Sequence, residues 1–566
     1  MIQINLNLNS ILEKSFLAAF FIVLLFIGPG NAFEHKIRHD FPYAYLSSDS
    51  FQHQVRAEVI KEIGNFKYEA NYIAKGLEKV TGNYPPWIYH PAVMLSYLSN
   101  LEAYDTIYLM TFLLVIAAVF AMYILIRNFN RNVALLALPL ALVVISPPLY
   151  IDQAGSLAKV SLGINTGFAY GHWPSMLAQF FIIAFAWSLM NIKLEKSYVL
   201  IGIFGSAIAL AHTSEAVFAL FFVVLFVAVK FIGRDIGKME IKSLIFAGLI
   251  ALVLSAYYIM IFLNTWAPGE AYHFNVMPAW QDNPGIYVQG FGILLLLIAA
   301  GMAFSLFKAK NMHVSFVLGF AMLLAGFMNY IGFETRAFQI RFFWPIYLSV
   351  FFGFGTYMLV RLLVKNINIV YSIAISLAFA ILLLGIIKVP FLPYYEKQAS
   401  QGLMNTYHWA AFSWLSKSTE KDAKLYFLYG DIYTQDAVLR SSKRVHFLVD
   451  PEDFARALNE RKIKKTFITE LPGDSGGGLI EWTGLFNFRN IGAENPPEYY
   501  FGPRNICSFD YIIIDKASRI QSLAQYNLLI GSELLKKGAA MAYENEVVAI
   551  LKNNNVGADC IEERSF

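Results

Sequence analysis

The chain has 566 residues, of which 57% are hydrophobic, 16% aromatic and only 15% charged, with a formal net charge of +4. So large an apolar share excludes a soluble globular or disordered chain and fits a polytopic membrane protein. The small net charge gives no reason to invoke nucleic acid, and neither low-complexity tracts nor fixed-period repeats are present.

Apolar runs lie near residues 15–33, 106–126, 133–151, 175–191, 199–211, 216–232, 243–263, 288–307, 314–331, 342–360 and 368–389, about eleven in all. Most are long enough to cross a hydrocarbon core of roughly 30 Å. The first, Lys14 to Phe33, reads as a signal peptide or a retained signal-anchor span; its apolar part is long for a cleaved segment, which favours the anchor. The loops between runs alternate in character. One set carries Arg127 and Arg131, Lys193 and Lys196, Lys230, Arg234, Lys238 and Lys242, Lys308 and Lys310, then Arg361 and Lys365. By the positive-inside rule this set faces the cytoplasm. The other set holds Asp49, His53, Asp152, His172, His212, Glu215, Glu270, Glu334, Arg336 and Arg341. A plasma-membrane, multi-pass protein that gathers carboxylates, imidazoles and guanidiniums at its outer face is expected to have its site there.

Residues 34–105 form a long first external loop. Ser48-Asp49 precedes a predicted helix from Ser50 to Ile63 that Gly64 stops. Asp49 and His53 are four apart and so share a helix face. A second amphipathic stretch, Tyr68 to Val80, leads to Tyr84-Pro85-Pro86-Trp87, and both helices are expected in the interface plane. Taken alone, Asp49 is also a plain N-cap and His53 a buried polar residue. His212 and Glu215, between two short apolar runs, suit a cavity or a mutual hydrogen bond that closes the turn. Arg336 and Arg341 suit a ligand or headgroup anchoring with snorkelled stems, and His172 and Glu270 a solvated loop.

After residue 390 the pattern changes. Lys424–Tyr429, Val445–Val449, Lys465–Ile468, Tyr511–Ile514 and Glu546–Leu551 read as strands, and Pro451–Arg461 and Ile520–Lys537 as helices. Residues 391–566 are therefore an α/β domain, placed outside the cytoplasm by span parity, behind a membrane module of residues 1–390. Both cysteines, Cys507 and Cys560, fall in this domain, where an oxidising exterior permits a disulfide. Gly473-Asp474-Ser475-Gly476-Gly477 spells a serine-protease nucleophile segment, but no second motif of that class accompanies it, and it reads as a glycine-rich loop. It also lacks the ending of a phosphate-binding loop.

The order Ser48-Asp49-Ser50-x-x-His53, amphipathic helix, Tyr84-Pro85-Pro86, directly after the first span, resembles the first outer loop of the GT-C glycosyltransferases. Arg341-Phe342-Phe343-Trp344-Pro345 is similar to an Arg-aromatic-x-x-Pro element of relatives that transfer mannose or aminoarabinose. Ala211-His212-Thr213-Ser214-Glu215 looks like an outer turn of archaeal and bacterial members, and Gly171-His172-Trp173-Pro174 and the Trp409–Trp414 stretch fit the same architecture. There is no Trp-Trp-Asp motif, unlike the catalytic oligosaccharyltransferase subunit, and the paired Asp-Glu of protein mannosyltransferases is missing near Asp49, which Ser48 and Ser50 flank.

The resemblance implies an inverting transfer of a hexose or pentose from a polyprenyl-phosphate donor to a glycan, lipid or protein acceptor. It implies Asp49 as base, with Asp40 as fallback, and a divalent cation, Mg or Mn, with Asp49 as a contact. His53, His212 and Glu215 are the further catalytic candidates. The residue types suit the chemistry. A carboxylate takes the acceptor proton, and Arg341, Arg336 and His172 meet the phosphate, arginine through paired charge-assisted forks. Holding charge on the leaving group is usually the largest catalytic term. The alternative is a multi-span transporter or lipid flippase with an external domain, but transporters place broken spans and charges at mid-depth. An external sensor on an anchor needs far fewer spans.

Overall fold

The computed structural model describes residues 8–27, 48–64, 85–142, 171–265, 291–307, 312–328, 337–364, 366–386, 406–428, 441–446, 509–516 and 534–554, with a few single residues between. Each of the eleven apolar runs holds a helix. In chain order the described helices are α1 (Leu8–Ile27), α2 (Ser48–Ile63), α3 (Tyr89–Ser99), α4 (Ala103–Phe129), α5 (Arg131–Ala137, continued by a 3-10 turn to Ala141), α6 (Trp173–Met190), α7 (Ser197–Ala211), α8 (Thr213–Ile232) and α9 (Lys238–Thr265). They continue with α10 (Leu294–Leu306), α11 (Val314–Gly326), α12 (Ala337–Arg341), α13 (Trp344–Tyr347), α14 (Ser349–Leu363), α15 (Ile369–Ile386) and α16 (Thr406–Ser418). Six of the segments are long and apolar enough to cross a membrane, and five further apolar helices are shorter.

Sequence explains the breaks. Asn130 ends α4 and starts α5, its Oδ1 accepting from the Asn132 and Val133 amides at 2.9 and 3.1 Å. Gly64 ends α2 at φ +71, a left-handed conformation with no crowding around it, so backbone freedom alone requires glycine there. Close helix approach does the same work at Gly301 and Gly355. A Cβ on Gly301 would lie 1.8 Å from the Phe351 carbonyl oxygen, and one on Gly355 2.0 Å from that of Leu297. Helices α10 and α14 therefore touch backbone to backbone, the contact small residues permit where lipid offers no hydrophobic drive to associate.

The two ends of the bundle differ. Glu13 of α1 is buried against α4, ion-paired to Arg127 Nε at 2.7 Å and to Arg131, with the Tyr123 hydroxyl donating to it. At the same end Lys193 and Lys230 converge on Asp235 at 2.6 and 2.5 Å. Hydrogen bonds from these two lysines hold the Asp235 carboxyl down at about 2. Helix α6 runs from His172 at its start to Lys193 just past its end, so the lysine–arginine loops and the histidine-bearing turns lie at opposite ends of one helix of about 27 Å.

Beyond the bundle, β1 (Lys424–Leu428), β2 (Val445–His446), β3 (Tyr511–Asp515), β4 (Ala540–Glu544) and β5 (Val548–Lys552) form one sheet in the order β2-β1-β3-β5-β4. The first three strands are parallel and β5 and β4 antiparallel. β3 is buried along its whole length, as its unbroken apolar run demands of a central strand. The predicted strand at Glu546 starts two residues late. Glu546 and Val547 instead form the turn of a β4–β5 hairpin, where Asn545 Oδ1 accepts from the Val547 and Val548 amides at 3.0 and 2.8 Å. The predicted elements at 68–80, 451–461 and 465–468, the Gly473–Gly477 loop, the domain boundary near 390 and both cysteines lie outside the described residues.

Candidate functional site

Four short structural decisions build the site. Gly171, at φ +79, turns the chain so that His172 precedes α6, and Pro174 occupies the first turn, where a missing N–H costs nothing. His172 caps nothing with its ring, which accepts from Gln339 Nε2 at 3.1 Å and lies 5.8 Å from the Phe342 ring. His212 is the single extended residue (φ −159, ψ 128) between α7 and α8, so the sharp turn expected there is a one-residue helix break. Pro86-Trp87 docks on that break, the Trp87 amide donating to the Leu210 carbonyl at 3.1 Å. Finally α2 packs on α3 and α4, and its described side chains from Ser50 to Glu58 are buried, polar ones included.

Two linked polar groups result. In the first, His53 Nδ1 and the Tyr89 hydroxyl are hydrogen-bonded at 2.7 Å, and the His53 ring lies 6.0 Å from that of fully buried Trp173. Burial, reinforced by Arg56, His212 and His172, pushes the His53 imidazole well below its ordinary range, so it is neutral at physiological pH. In the second, the His212 Nδ1–H donates to Glu215 Oε2, while Glu215 Oε1 accepts from the Ser175 hydroxyl and from Gln179 Nε2 at 3.3 Å. Gln179 Oε1 in turn accepts from the Tyr347 hydroxyl. The mutual bond that closes the His212 turn is therefore present, and Glu215 has two further donors from α6.

Arg341 is fully buried at the end of α12, its Nε donating to the Gly326 carbonyl at 2.6 Å and so satisfying the C-terminal end of α11. Gln339, two residues before it, holds His172, which places α12 beside the histidines. The structure thus brings His53, His172, His212, Glu215 and the Arg341 helix to one end of the bundle. Asp49 falls in the first turn of α2, which begins at Ser48, two residues earlier than expected, and is one helical turn from His53. Arg336, Asp40, Asp152, Glu270 and Glu334 lie outside the described residues.

Sequence reasoning passed over Ser175, Gln179, Tyr347 and Tyr89. A signal existed for the first two, a polar pair four residues apart inside an otherwise apolar span, which must face a partner within the bundle. Among the described residues no three His, Cys, Asp or Glu side chains converge as a metal site requires. His212 and Glu215 serve each other.

No family model matches the sequence, and no curated protein matches it. Solved structures do match. The structure of ArnT from Cupriavidus metallidurans in the apo state aligns with TM-score 0.50 at 11% identity, covering 96% of this chain and 98% of that one. The arabinofuranosyltransferase AftD from Mycobacteria aligns with TM-score 0.52 at 12% identity; the match covers 96% of this chain but only 40% of the larger enzyme. The chain therefore shares the fold of these two solved structures.

Proposed function

We propose that this chain is an integral membrane glycosyltransferase that moves a sugar from a polyprenyl-phosphate donor to a glycan, lipid or protein acceptor at the outer membrane face. The observation that carries the reading is the convergence of His53, His172, His212 and Glu215 at one end of the bundle, opposite the lysine–arginine loops. Buried ionisable groups in a membrane protein are costly and mark working sites. The fold shared with ArnT and AftD supports the same class of chemistry, and in this reading the α/β domain is extracytoplasmic, beside the site.

The reaction is a single displacement with inversion. The acceptor oxygen forms a bond to the anomeric carbon from the face opposite the phosphate, the carbon–phosphate oxygen bond breaks, and the phosphate leaves with the electron pair. Asp49 on α2 takes the acceptor proton. Glu215 fixes the ring of His212, which gives His212 the contact with the reacting groups and Glu215 a positioning part. Arg341, Arg336 and His172 receive the phosphate; an arginine has five N–H donors, and the Arg341 Nε serves Gly326. A divalent cation at Asp49 would add charge stabilisation at the leaving phosphate.

The test is reconstitution of the full chain in liposomes with a panel of polyprenyl-phosphate sugars and a mixed acceptor fraction. Release of polyprenyl phosphate with formation of a glycoside of inverted configuration is the expected result. Movement of intact donor across the bilayer with no glycosidic product would overturn the enzyme reading in favour of a flippase.

A further inference from the structure

We propose that Lys443 is a positioning residue through which the C-terminal α/β domain holds helix α2 in its working place. The proposal rests on the reading of α2 as the helix that carries the base. It starts from a peculiarity of that helix. A helix with one apolar stripe needs one partner and leaves its polar face in water. Helix α2 instead buries Phe51, Val55 and Ile60 together with Gln54, Arg56 and Glu58. Packing on α3 and α4 covers the apolar residues, whereas Glu58 needs a cation as well.

That cation comes from a point 385 residues further along the chain. Lys443 Nζ lies 3.2 Å from Glu58 Oε2 and is also hydrogen-bonded to Glu62. Glu58 and Glu62 are successive turns of α2, and Glu58 Oε1 accepts from Gln54 Nε2 at 2.8 Å. A chain of contacts therefore runs from Lys443 along α2 to the residue next to His53. The Lys443 side chain is only 15% exposed, and its backbone is left-handed at φ +53, a conformation a lysine holds only where its surroundings dictate it. The surroundings are rigid. Neighbouring Arg444 donates to the Ser416 and Thr419 carbonyls, at 2.5 and 2.8 Å, and so locks this turn onto the end of α16. Tyr104 of α4 meets Trp409 of α16 edge to face at 5.7 Å, which seats the same helix on the bundle. Helix α16 is the fixed strut, and Lys443 is the arm that reaches from it to α2.

Hydrogen exchange of the full-length protein in nanodiscs, read alongside donor-dependent turnover, tests this. Lys443→Met should speed exchange across Ser48–Ile63 about tenfold, the scale of one lost charge-assisted contact, and leave Tyr511–Asp515 and Val548–Lys552 protected. Turnover should fall severalfold in kcat with the donor KM unchanged, and Lys443→Arg should restore both. Glu62→Gln, at a half-exposed position that leaves folding intact, should give a smaller change of the same kind. Unchanged exchange in α2 in both variants overturns the proposal, as does loosening of α2 and the sheet together, which would make Lys443 only a prop of its own domain. If the parent protein transfers no sugar, the glycosyltransferase reading fails, and the exchange data alone decide the role of Lys443.

Discussion

Two buried carboxylates, Glu13 and Glu215, occupy opposite ends of the same bundle and are treated differently. Glu13 is met by two guanidiniums and a tyrosine hydroxyl. Arginine is always protonated, so this charge is permanently balanced and the arrangement has one state. Glu215 is met by an imidazole, a hydroxyl and an amide. None of these is a permanent cation. The same residue type is thus a fastener at one end and the hub of a hydrogen-bonded polar site at the other. What separates them is the identity of the partners, since both carboxylates are buried.

If that contrast is right, variants at the histidine end change chemistry and variants at the arginine end change stability. The largest expected effect is at Asp49. Asp49→Asn should lower transfer by about a hundredfold to ten-thousandfold, the usual cost of losing a general base, with membrane insertion intact. Near-parental turnover would move the base to Asp40, Asp152 or Glu215. Next comes Arg341, where Arg341→Ala should weaken polyprenyl-phosphate binding roughly tenfold to a hundredfold and Arg341→Lys less. Equilibrium binding with a fluorescent donor analogue measures it; parental affinity in the alanine variant would leave Arg341 as the cap of α11 alone.

At the other end, Glu13→Gln should leave kcat close to the parent value but lower unfolding stability by about 1–3 kcal/mol. A fully buried pair would lose more, and Arg127 is half-exposed. Thermal unfolding in detergent separates the two outcomes, and a loss of turnover without loss of stability would erase the contrast. The smallest effect is a pH dependence. His53 stays neutral when folded, well below the ordinary imidazole value of about 6.5. The unfolded chain therefore binds a proton that the folded one refuses. Stability from this group is complete above about pH 6.5 and is lost as the pH falls toward the folded value, by at most about 1.4 kcal/mol per pH unit. His53→Gln should flatten the curve between pH 6.5 and 5, and an unchanged slope would mean that another group carries it.

Much of this was legible in the sequence. Each apolar run holds a helix because a bilayer leaves the backbone no other way to satisfy its hydrogen bonds. The His212–Glu215 turn was readable because a polar break between two short apolar runs is local, and Gly64 because a helix stop is local too. Ser175, Gln179, Tyr347 and Tyr89 were not. Their hydroxyls and amides blend into apolar spans, and they matter only once α3, α6, α8 and α13, far apart in the chain, meet. The β4–β5 hairpin was half-read, because Ala540–Glu544 is a largely exposed edge strand with little apolar signal, and its turn is set by the side chain of one asparagine. The arm from Lys443 to Glu58 was invisible for the same reason as the polar site, its partners being separated by most of the chain.

The Glu13 fastener also bears on how the protein is made. A lone carboxylate inside a membrane-inserting helix carries a translocon penalty of about 2.5–3.5 kcal/mol at mid-depth, less toward the edge where α1 holds it. Arg127 and Tyr123 arrive with α4, the next long apolar helix to leave the ribosome, and Arg131 follows at the start of α5. Until then α1 is an uncomfortable guest in lipid, and afterwards it is tied by ion pairs to its successor. The first two long apolar helices should therefore associate as a pair during synthesis and form the base on which the rest of the bundle is laid.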